Sequence, residues 1–565
     1  MATLRDARAR AGRSGRAAIL AGAALAAAAF AAPQPSEAAP GPKVTTDTGP
    51  VRGFVEGDVA RFYGIPYAQP PVGPLRWMPP RKMKSWTKVL DATTFGPQCL
   101  QVTTLGPFAG PQNTNEDCLY LNVYAPAANL GAGKLPVIVW IHGGGNVDGA
   151  SDAYDGSKMA RDGKTVVVTM NYRLNLMGFF AHPAINAEGH PFGNYGVMDQ
   201  QSVLRWVKRN IAAFGGDRNN VTLGGQSAGA SDTMANMTSP RSAGLFHRAI
   251  LQSGVGSTTP LATAETNAKN MAVAAGCGSG ADAATAACLR RLTPQQVFNL
   301  AGTQSANSAY ISGLIEDGQV IPGRFVDALA SGDFNKMPVM SGATIDEATF
   351  SLGIAQYFRP GQTPATEADY KARLAIYGGP TYPANAQARV RRSYPLSAYA
   401  SPLLALSAIA SDTTQCTQLN TNMLLSSQVP VYAYQFADRT APTYFPKMPG
   451  YLSLAYHTAD IQYLFPGWHG GDEGIPHNLN AKQRKLSNEL VTAWTNFAWS
   501  GNPNGVGNSP WPRFTARKYL PGVLEQNIPF SQPITPAAFV AEHKCNLWDQ
   551  ILPYHPRVTA SAATK

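Results

Sequence analysis

Charged residues are scarce in this sequence of 565 residues: 14% are Asp, Glu, Lys or Arg, whereas 44% are hydrophobic. This balance excludes an intrinsically disordered chain, because such chains combine low hydrophobicity with high charge. Glycine and proline together make up about 17% of the residues, below the roughly 25–30% that is typical of low-complexity sequence. No interior linker or internal repeat is found, so the sequence predicts one large globular domain.

The sequence also lacks a cluster of basic residues, although its net charge is +11. Only short pairs such as Arg290–Arg291 and Arg391–Arg392 occur, and no arginine-rich stripe alternates with aromatic residues. We therefore expect no binding to nucleic acid. Residues 1–38 hold five arginines against Asp6 and Glu37, so the chain from residue 39 onward carries a net charge of about +8.

A long apolar run is present only near the N-terminus. Five arginines between Arg5 and Arg16 precede the 16-residue run Ala17–Ala32, which ends at Pro33. This pattern predicts a secretory signal peptide at residues 1–38, cleaved after Ala38, with Ala32 as the alternative site. A retained membrane anchor is the other interpretation, but a spanning helix needs about 20 strongly apolar residues. We expect a secreted or periplasmic protein without a stable membrane anchor.

Cysteines are few, and none has the spacing of a metal site. The six cysteines include no CxxC pair and no His/Cys pair at zinc spacing, so no metal is expected. An even number in an exported chain predicts three disulfides, for which spacing alone leaves fifteen pairings open. Buried free thiols are the alternative.

Apolar runs that alternate with helical stretches define the fold class. The first segment, Val44–Val59, has turn glycines between short alternating runs and predicts an N-terminal antiparallel hairpin. Fully apolar runs predict strands of a mostly parallel sheet that helices cover on both faces. These runs are Pro136–Ile141, Thr165–Thr169, Val221–Leu223, Ala249–Gln252, Pro338–Ala343 and Val431–Phe436. Asp199–Phe214 is helical in spacing, so the class is α/β, with one domain at residues 39–565.

A G-x-S-x-G motif follows one of these strands directly. Gly225–Gly229 comes after Val221–Leu223 and before the helical stretch Ala230–Met237. This order of strand, turn and helix is typical of a nucleophile elbow with Ser227 at its tip. The flanking glycines are required because a side chain there would collide with a neighbouring strand or helix. A glycine-rich turn without catalytic function is the alternative.

A triple glycine after another strand supplies groups that could bind an oxyanion. In the segment Trp140–Gly145, the backbone N–H groups of Gly144 and Gly145 can converge on an anion, together with the N–H of Ala228. A phosphate-binding loop is the alternative interpretation. The segment has neither the Lys-Ser/Thr pair of a P-loop nor the spacing of a dinucleotide-binding motif.

These motifs and several others together resemble one family. The sequence is similar to a type-B carboxylesterase of the cholinesterase-like group in the α/β-hydrolase superfamily, over nearly its whole length after the signal. The resemblance implies an α/β-hydrolase fold and hydrolysis of a small carboxylic ester through an acyl-enzyme, with no cofactor. The segments that carry it, besides the two motifs above, are Phe62–Arg76, Glu116–Asn122, Asn171–Arg173, Gly193–Gly196 and Phe214–Asp217.

The resemblance also implies a catalytic triad of Ser227, Glu347 and His457. Glu347 follows the strand Pro338–Ala343, where such folds place catalytic groups, and Asp346 beside it is the local alternative. His457 is followed three residues later by an acid, as in the family. His142 is expected to brace the glycine loop, and Asp317 to be a turn acid.

The disulfides implied by the resemblance are Cys99–Cys118, Cys277–Cys288 and Cys416–Cys545. Three departures from the family concern the substrate. Asn146 stands where many relatives have an aromatic residue, Gln226 stands where many have Glu, and residues 99–118 contain no Trp. Because a quaternary ammonium group needs an aromatic face and nearby negative charge, we expect neutral or anionic esters as substrates.

Two other functions agree with the resemblance. A cholinesterase-like protein without activity could serve in adhesion, although such proteins commonly lack the nucleophile. An acyltransferase would use the same acyl-enzyme, and the sequence does not separate transfer from hydrolysis.

Overall fold

The computed structural model of the chain describes residues 41–103, 105, 111–302, 313–467, 478–515, 520 and 522–552. The predicted signal peptide lies outside these residues. The strands are β1 (Lys43–Thr45), β2 (Pro50–Arg52), β3 (Phe54–Glu56), β4 (Val59–Pro66), β5 (Leu90–Asp91), β6 (Tyr120–Pro126), β7 (Leu135–Ile141), β8 (Val166–Met170), β9 (Phe179–Phe180), β10 (Gly193–Asn194), β11 (Gly216–Gln226), β12 (Arg248–Gln252), β13 (Thr259–Pro260), β14 (Ile315–Glu316), β15 (Val339–Thr344), β16 (Val431–Phe436), β17 (Val523–Gln526) and β18 (Gln532–Ile534).

The described α-helices all come after β7 in the sequence. They are α1 (Ser157–Gly163), α2 (Asn175–Gly178), α3 (Pro183–Asn186), α4 (Tyr195–Asn210), α5 (Ala228–Thr238), α6 (Leu261–Ala274), α7 (Ala283–Arg291), α8 (Pro294–Gly302), α9 (Phe325–Ser331), α10 (Ala348–Tyr357), α11 (Glu367–Ile376), α12 (Ala386–Ser393), α13 (Pro402–Ser426), α14 (Ile461–Leu464), α15 (Ala481–Ser500), α16 (Pro536–Glu542) and α17 (Cys545–Ile551). None of these described helices is long and apolar enough to cross a membrane.

An 11-stranded sheet forms the centre of the fold. Its strand order is β18-β17-β16-β15-β12-β11-β7-β8-β6-β4-β3. The neighbours from β17 through β8 pair in parallel, and antiparallel pairs occur at the two ends of the order. The predicted mostly parallel sheet is thus confirmed, with antiparallel strands added at its edges.

Both faces of the sheet are buried, as the apolar runs predict. Along β7, Val137, Val139 and Ile141 face one hydrophobic core, whereas Ile138 and Trp140 face a second one. Alternate side chains of a strand point to opposite faces, so every position of such a strand must be apolar. Helices α4, α5 and α13 pack against one side of the sheet region, and α1 and α15 contribute to the second core.

The strands differ from the expectations at several places, and the short strands β5, β9, β10, β13, β14, β17 and β18 were not predicted. The N-terminal segment forms two antiparallel hairpins, β1–β2 and β3–β4, and only the second joins the large sheet. Strand β6 was not predicted, because Asn122 interrupts its apolar run; the structure buries this amide against Ser151 Oγ and Thr169 Oγ1, 3.0 Å from each. Strand β11 starts at Gly216, before its apolar part, and its register with β7 shifts between Gly216 and Val221.

The six cysteines form three disulfides in the structure: Cys99–Cys118, Cys277–Cys288 and Cys416–Cys545. These are the pairs that the family resemblance implies. The first two close short loops, whereas the third spans 129 residues and joins α13 to α17.

Candidate active site

The predicted catalytic side chains line one cavity of about 800 Å³. Ser227 follows β11, Glu347 follows β15, and the glycine loop follows β7, so the carboxyl ends of three parallel strands face this cavity. His457 comes from the long segment between β16 and α14. Ligands of open α/β sheets bind at this edge of the sheet.

Ser227 has the strained backbone that a nucleophile elbow requires. Its φ and ψ angles are 59° and −123°, and it lies between the last residue of β11 and the first residue of α5. Its N–H donates a hydrogen bond of 2.8 Å to the carbonyl oxygen of Gln252 at the end of β12. A non-glycine residue at such angles costs of order 1–3 kcal/mol, and strain of this kind concentrates at functional sites.

The two glycines of the motif are required by close backbone approach. A Cβ atom at Gly225 would lie 2.4 Å from the carbonyl carbon of Gly229 and 2.7 Å from the Ile141 carbonyl oxygen. A Cβ atom at Gly229 would lie 2.1 Å from that same oxygen. The collision expected from the sequence is therefore present, with the end of β7 as the obstacle.

Glu347 is buried and contacts both its own strand and His457. One carboxylate oxygen, Oε1, accepts hydrogen bonds of 2.8 Å from the N–H and the hydroxyl of Thr344. The other, Oε2, contacts Nδ1 of His457 in a short hydrogen bond. This arrangement leaves Nε2 of His457 as the nitrogen that can exchange a proton with a substrate or a serine.

The pKa of His457 lies above its ordinary value of 6.5. Burial lowers this pKa, but the charge of Glu347 and its hydrogen bond raise it by more. Asp460, the acid three residues later, is fully buried, and burial followed by the charge of Glu347 raises its pKa to about 7. Glu347 is therefore the charged group with the largest effect on the pKa of His457.

Asp346, the local alternative to Glu347, points elsewhere. Its carboxylate accepts hydrogen bonds of 2.8 and 3.0 Å from the guanidinium of Arg439, and one of 3.2 Å from the N–H of Ala455. Asp317 accepts from the N–H groups of Gln319 and Val320, as a turn acid does. Neither acid contacts His457 in the described structure.

The glycine loop lies directly against the elbow. A Cβ atom at Gly143 would lie 3.1 Å from the Cβ of Ser227. The N–H groups of Gly144, Gly145 and Ala228 take no part in the hydrogen bonds among the described residues. They are therefore available to a ligand.

His142 supports this loop through contacts of its imidazole ring with Gly143 and Tyr172. It is buried, its Nδ1 lies 2.8 Å from the Gly143 carbonyl oxygen, and its ring stacks on Tyr172 with centroids 4.5 Å apart. Burial lowers its pKa to about 4, so it is neutral at pH 7.

Asn146 and Asp232 form a polar contact that the sequence analysis did not anticipate. Asn146 follows the triple glycine, and its Nδ2 donates a hydrogen bond of 2.8 Å to Asp232 Oδ1 on α5. The available signals were an Asn in place of an aromatic residue and an acid, the only charged residue of helix α5, at position 232. No pattern linked the two positions, because they are 86 residues apart.

Comparisons with known proteins show the family to which the chain belongs. The model of the carboxylesterase family matches residues 40–548. The chain is 36% identical to the fumonisin B1 esterase of Sphingopyxis macrogoltabida, over 84% of each chain. It is 34% identical to a medium-chain fatty acyl-CoA hydrolase precursor of Anas platyrhynchos, over 90% of this chain and 92% of that protein.

A solved structure supports the fold. A PNB esterase superposes with a TM-score of 0.71 at 29% identity, over 89% of this chain and 99% of that one. The adhesion and acyltransferase alternatives receive no support from these matches. The chain belongs to the carboxylesterase family, and it is a serine carboxylic-ester hydrolase with the α/β-hydrolase fold.

Proposed function

We propose that Ser227 is the nucleophile, His457 the general base and Glu347 the acid that orients it. The observation that carries this proposal is the contact of Glu347 with His457 Nδ1, in the cavity that Ser227 also lines. The strained backbone of Ser227 supports the same role. The N–H groups of Gly144, Gly145 and Ala228 would form the oxyanion hole.

Acylation follows from these positions. Nε2 of His457 takes the hydroxyl proton as Ser227 Oγ forms a bond to the ester carbonyl carbon. The carbonyl oxygen becomes an oxyanion that the three N–H groups stabilise. The bond to the alcohol oxygen then breaks, and the imidazolium gives its proton to the departing alcohol.

Deacylation repeats these steps with water. His457 removes a proton from a water molecule while the water oxygen bonds to the acyl carbon. The bond to Ser227 Oγ breaks, Oγ receives the proton, and the carboxylic acid leaves. Throughout, the Glu347 carboxylate stabilises the imidazolium form of His457.

Covalent labelling tests the nucleophile. A fluorophosphonate ester should phosphonylate the native enzyme once, because only an activated serine displaces fluoride at a useful rate. Mass spectrometry of a digest should place the adduct on the peptide that contains Ser227. Heat-denatured protein is the control and should remain unlabelled. An adduct on another serine of the native enzyme would assign the nucleophile elsewhere.

We further propose that the substrates are neutral or anionic esters. Three acids line the cavity, and each has partners. Glu347 contacts Thr344 and His457, Asp152 accepts a hydrogen bond of 2.8 Å from Gln98, and Asp155 lies 3.6 Å from the guanidinium of Arg61. The positively charged Arg373 also lines the cavity, and its Cζ lies 5.7 Å from the centroid of the Tyr377 ring. A cationic substrate would therefore meet acids whose oxygens already have partners within the protein, together with the positive charge of Arg373.

Choline esters should accordingly be poor substrates. We expect a lower kcat/KM for butyrylcholine than for 3,3-dimethylbutyl butyrate, which has the same shape without the charge, because the cation loses hydration without a matching partner. The deficit should shrink as salt rises from low to physiological concentration, since salt screens the positive net charge of the protein. A clear advantage for butyrylcholine would contradict this substrate preference.

We propose that the chain is exported after cleavage of residues 1–38 and acts as one domain, residues 39–565. The three disulfides support this proposal, since such bonds form and persist in oxidising compartments. N-terminal sequencing of the protein recovered from the culture medium or periplasm would test the cleavage after Ala38.

A further inference from the structure

Asp232 is a buried carboxylate close to the proposed nucleophile. It lies on α5, five residues after Ser227, and its side chain is fully buried. In the described part of the chain it forms no ion pair with Lys, Arg or His. Burial raises the pKa of Asp232 to about 7, although its hydrogen bonds favour the charged form.

Its hydrogen-bond partners are Asn146 in the glycine loop, Gln200 on α4 and Tyr172, which follows β8. Oδ1 accepts a hydrogen bond of 2.8 Å from Asn146 in the glycine loop, and Oδ2 accepts one of 2.5 Å from Gln200 on α4. Gln200 is itself fixed, because its Oε1 accepts a bond of 3.0 Å from Asn236, one turn further along α5. The carboxylate therefore has a defined orientation, with one oxygen directed at the loop.

Asn146 is held on its other sides as well. Its Oδ1 lies 3.0 Å from the hydroxyl of Tyr172, which is also 3.1 Å from the carbonyl oxygen of His142. Its own carbonyl oxygen accepts a bond of 2.7 Å from the N–H of Asn175. The φ angle of Asn146 is 60°, a left-handed conformation that Asn and Gly adopt more readily than other residues.

The oxyanion hole joins the same two elements. Gly144 and Gly145 lie in the loop that ends in Asn146, whereas Ala228 is the first residue of α5. The three N–H groups can stabilise one oxygen only if loop and helix keep a fixed separation, and donors of this kind act within about 2.7–3.1 Å. The Asn146–Asp232 hydrogen bond is a direct link across that separation.

We propose that Asp232 is a positioning residue for the oxyanion hole. Its carboxylate holds Asn146, and thereby holds the N–H groups of Gly144 and Gly145 at the distance from Ala228 that the tetrahedral intermediate requires. This inference rests on the proposed function. Asp232 is not among the residues that line the cavity, and it acts through Asn146.

The test measures kcat and KM on a neutral p-nitrophenyl ester for Asn146→Gly, Asp232→Ala and the double variant. Glycine suits the φ angle at position 146, so Asn146→Gly removes the amide without adding backbone strain. Each single variant should lower kcat by about 10- to 100-fold, less than the 10²–10³-fold typical of losing one donor outright, because the donors are displaced and not deleted. KM should change by less than about threefold.

The double variant should lose no more activity than either single variant, because both substitutions break the same link. The inhibition constant of a trifluoromethyl ketone should rise by the factor by which kcat/KM falls, since this inhibitor forms the tetrahedral adduct. Ser239→Ala is the matched control: it removes the acceptor of a buried hydrogen bond of 3.1 Å from Gln201 Nε2, outside the contacts of Asp232, and should lower thermal stability while kcat stays close to native.

Two results would overturn the proposal: an unchanged kcat for folded Asn146→Gly, or losses that multiply in the double variant. If Asp232→Ala does not fold, Asn146→Gly together with Asp232→Asn still decides the question. In Asp232→Asn the side chain keeps one acceptor oxygen, but its NH₂ group faces the NH₂ group of Gln200, and two donors cannot bond to each other. The activity of this variant should therefore fall to an intermediate extent. If Ser227→Ala retains activity, the proposed function itself fails, whatever the loop variants do.

Discussion

Replacing Ser227 by alanine is expected to lower ester hydrolysis by at least about 10⁴-fold while the protein remains folded. The substitution removes the only atom that can form the acyl-enzyme, and the oxyanion hole alone supports a far slower reaction. Alanine meets the same strained backbone angles as serine, so stability should stay near that of the native enzyme. The comparison requires kcat/KM on a p-nitrophenyl ester and a thermal melt of each protein.

Ser231 offers a matched control on the same helix. Its hydroxyl lies 3.4 Å from the carbonyl oxygen of Ser227 and is not placed in the triad, so Ser231→Ala should keep most of the activity. Ser227→Gly should be as inactive as the alanine variant but should melt at a higher temperature, because glycine relieves the positive φ. Activity above about 1% of native in Ser227→Ala would exclude this serine as the nucleophile.

Replacing Glu347 by glutamine is expected to lower kcat by about 10²- to 10⁴-fold with little change in KM. The amide cannot stabilise the imidazolium that forms on His457 in the transition state. It also removes the charge that raises the pKa of His457, so that pKa should fall. Since activity requires neutral His457, the acid limb of the kcat/KM profile should lie above pH 6.5 in the native enzyme and shift to lower pH in the variant.

Asp346→Asn provides the control for this experiment. Asp346 is paired with Arg439, which is 55% exposed, so losing the pair should cost no more than about 1 kcal/mol of folding stability and leave the pH profile in place. If Asp346→Asn is the more damaging change in kcat, the acid of the triad is the neighbouring residue. If the acid limb of the kcat/KM profile lies at the same pH in the native enzyme and in Glu347→Gln, Glu347 does not raise the pKa of His457.

The central strands were predictable because burial on both faces restricts their composition. Strands β7, β8 and β16 were located to within one residue at each end, since almost every position faces a hydrophobic core and is apolar. The buried polar exceptions are Thr169 in β8 and Gln435 in β16. Strand β6 lies in the same sheet, but its buried Asn122 is stabilised by hydrogen bonds to the side chains of Ser151 and Thr169 on other elements. Such partners are set by tertiary packing and leave no local pattern.

The elbow was predictable for a different reason. Ser227 and its glycines are constrained by their immediate neighbours, and residues 225–229 carry that constraint within one short motif. The choice between Asp346 and Glu347 is not local: the two are adjacent in sequence, and spacing cannot separate them. The start of α10 directs one carboxylate towards His457 and the other towards Arg439.

The Asn146–Asp232 contact marks the limit of sequence reasoning at this site. Each residue alone departs from what its surroundings favour, since an amide replaces an aromatic side chain and an acid lies within a buried helix. The two departures compensate each other only after the loop and α5 have been brought together. A pairing of this kind becomes visible when both positions are seen in three dimensions.

The order of strands in the large sheet bears on how the chain assembles during synthesis. After β8, strand β11 pairs with β7, and each later strand of the large sheet up to β18 is added beside its predecessor. A nascent chain can therefore extend the sheet outwards from β7 without opening it to insert a later strand. The elbow would be built early, but Glu347 and His457 follow in the last two-fifths of the sequence. A partly synthesised chain would therefore hold Ser227 without its proposed base, and we expect no ester hydrolysis until residue 457 has emerged. The Cys416–Cys545 bond then links the helix before β16 to the helix after β18, and so encloses the last strands added.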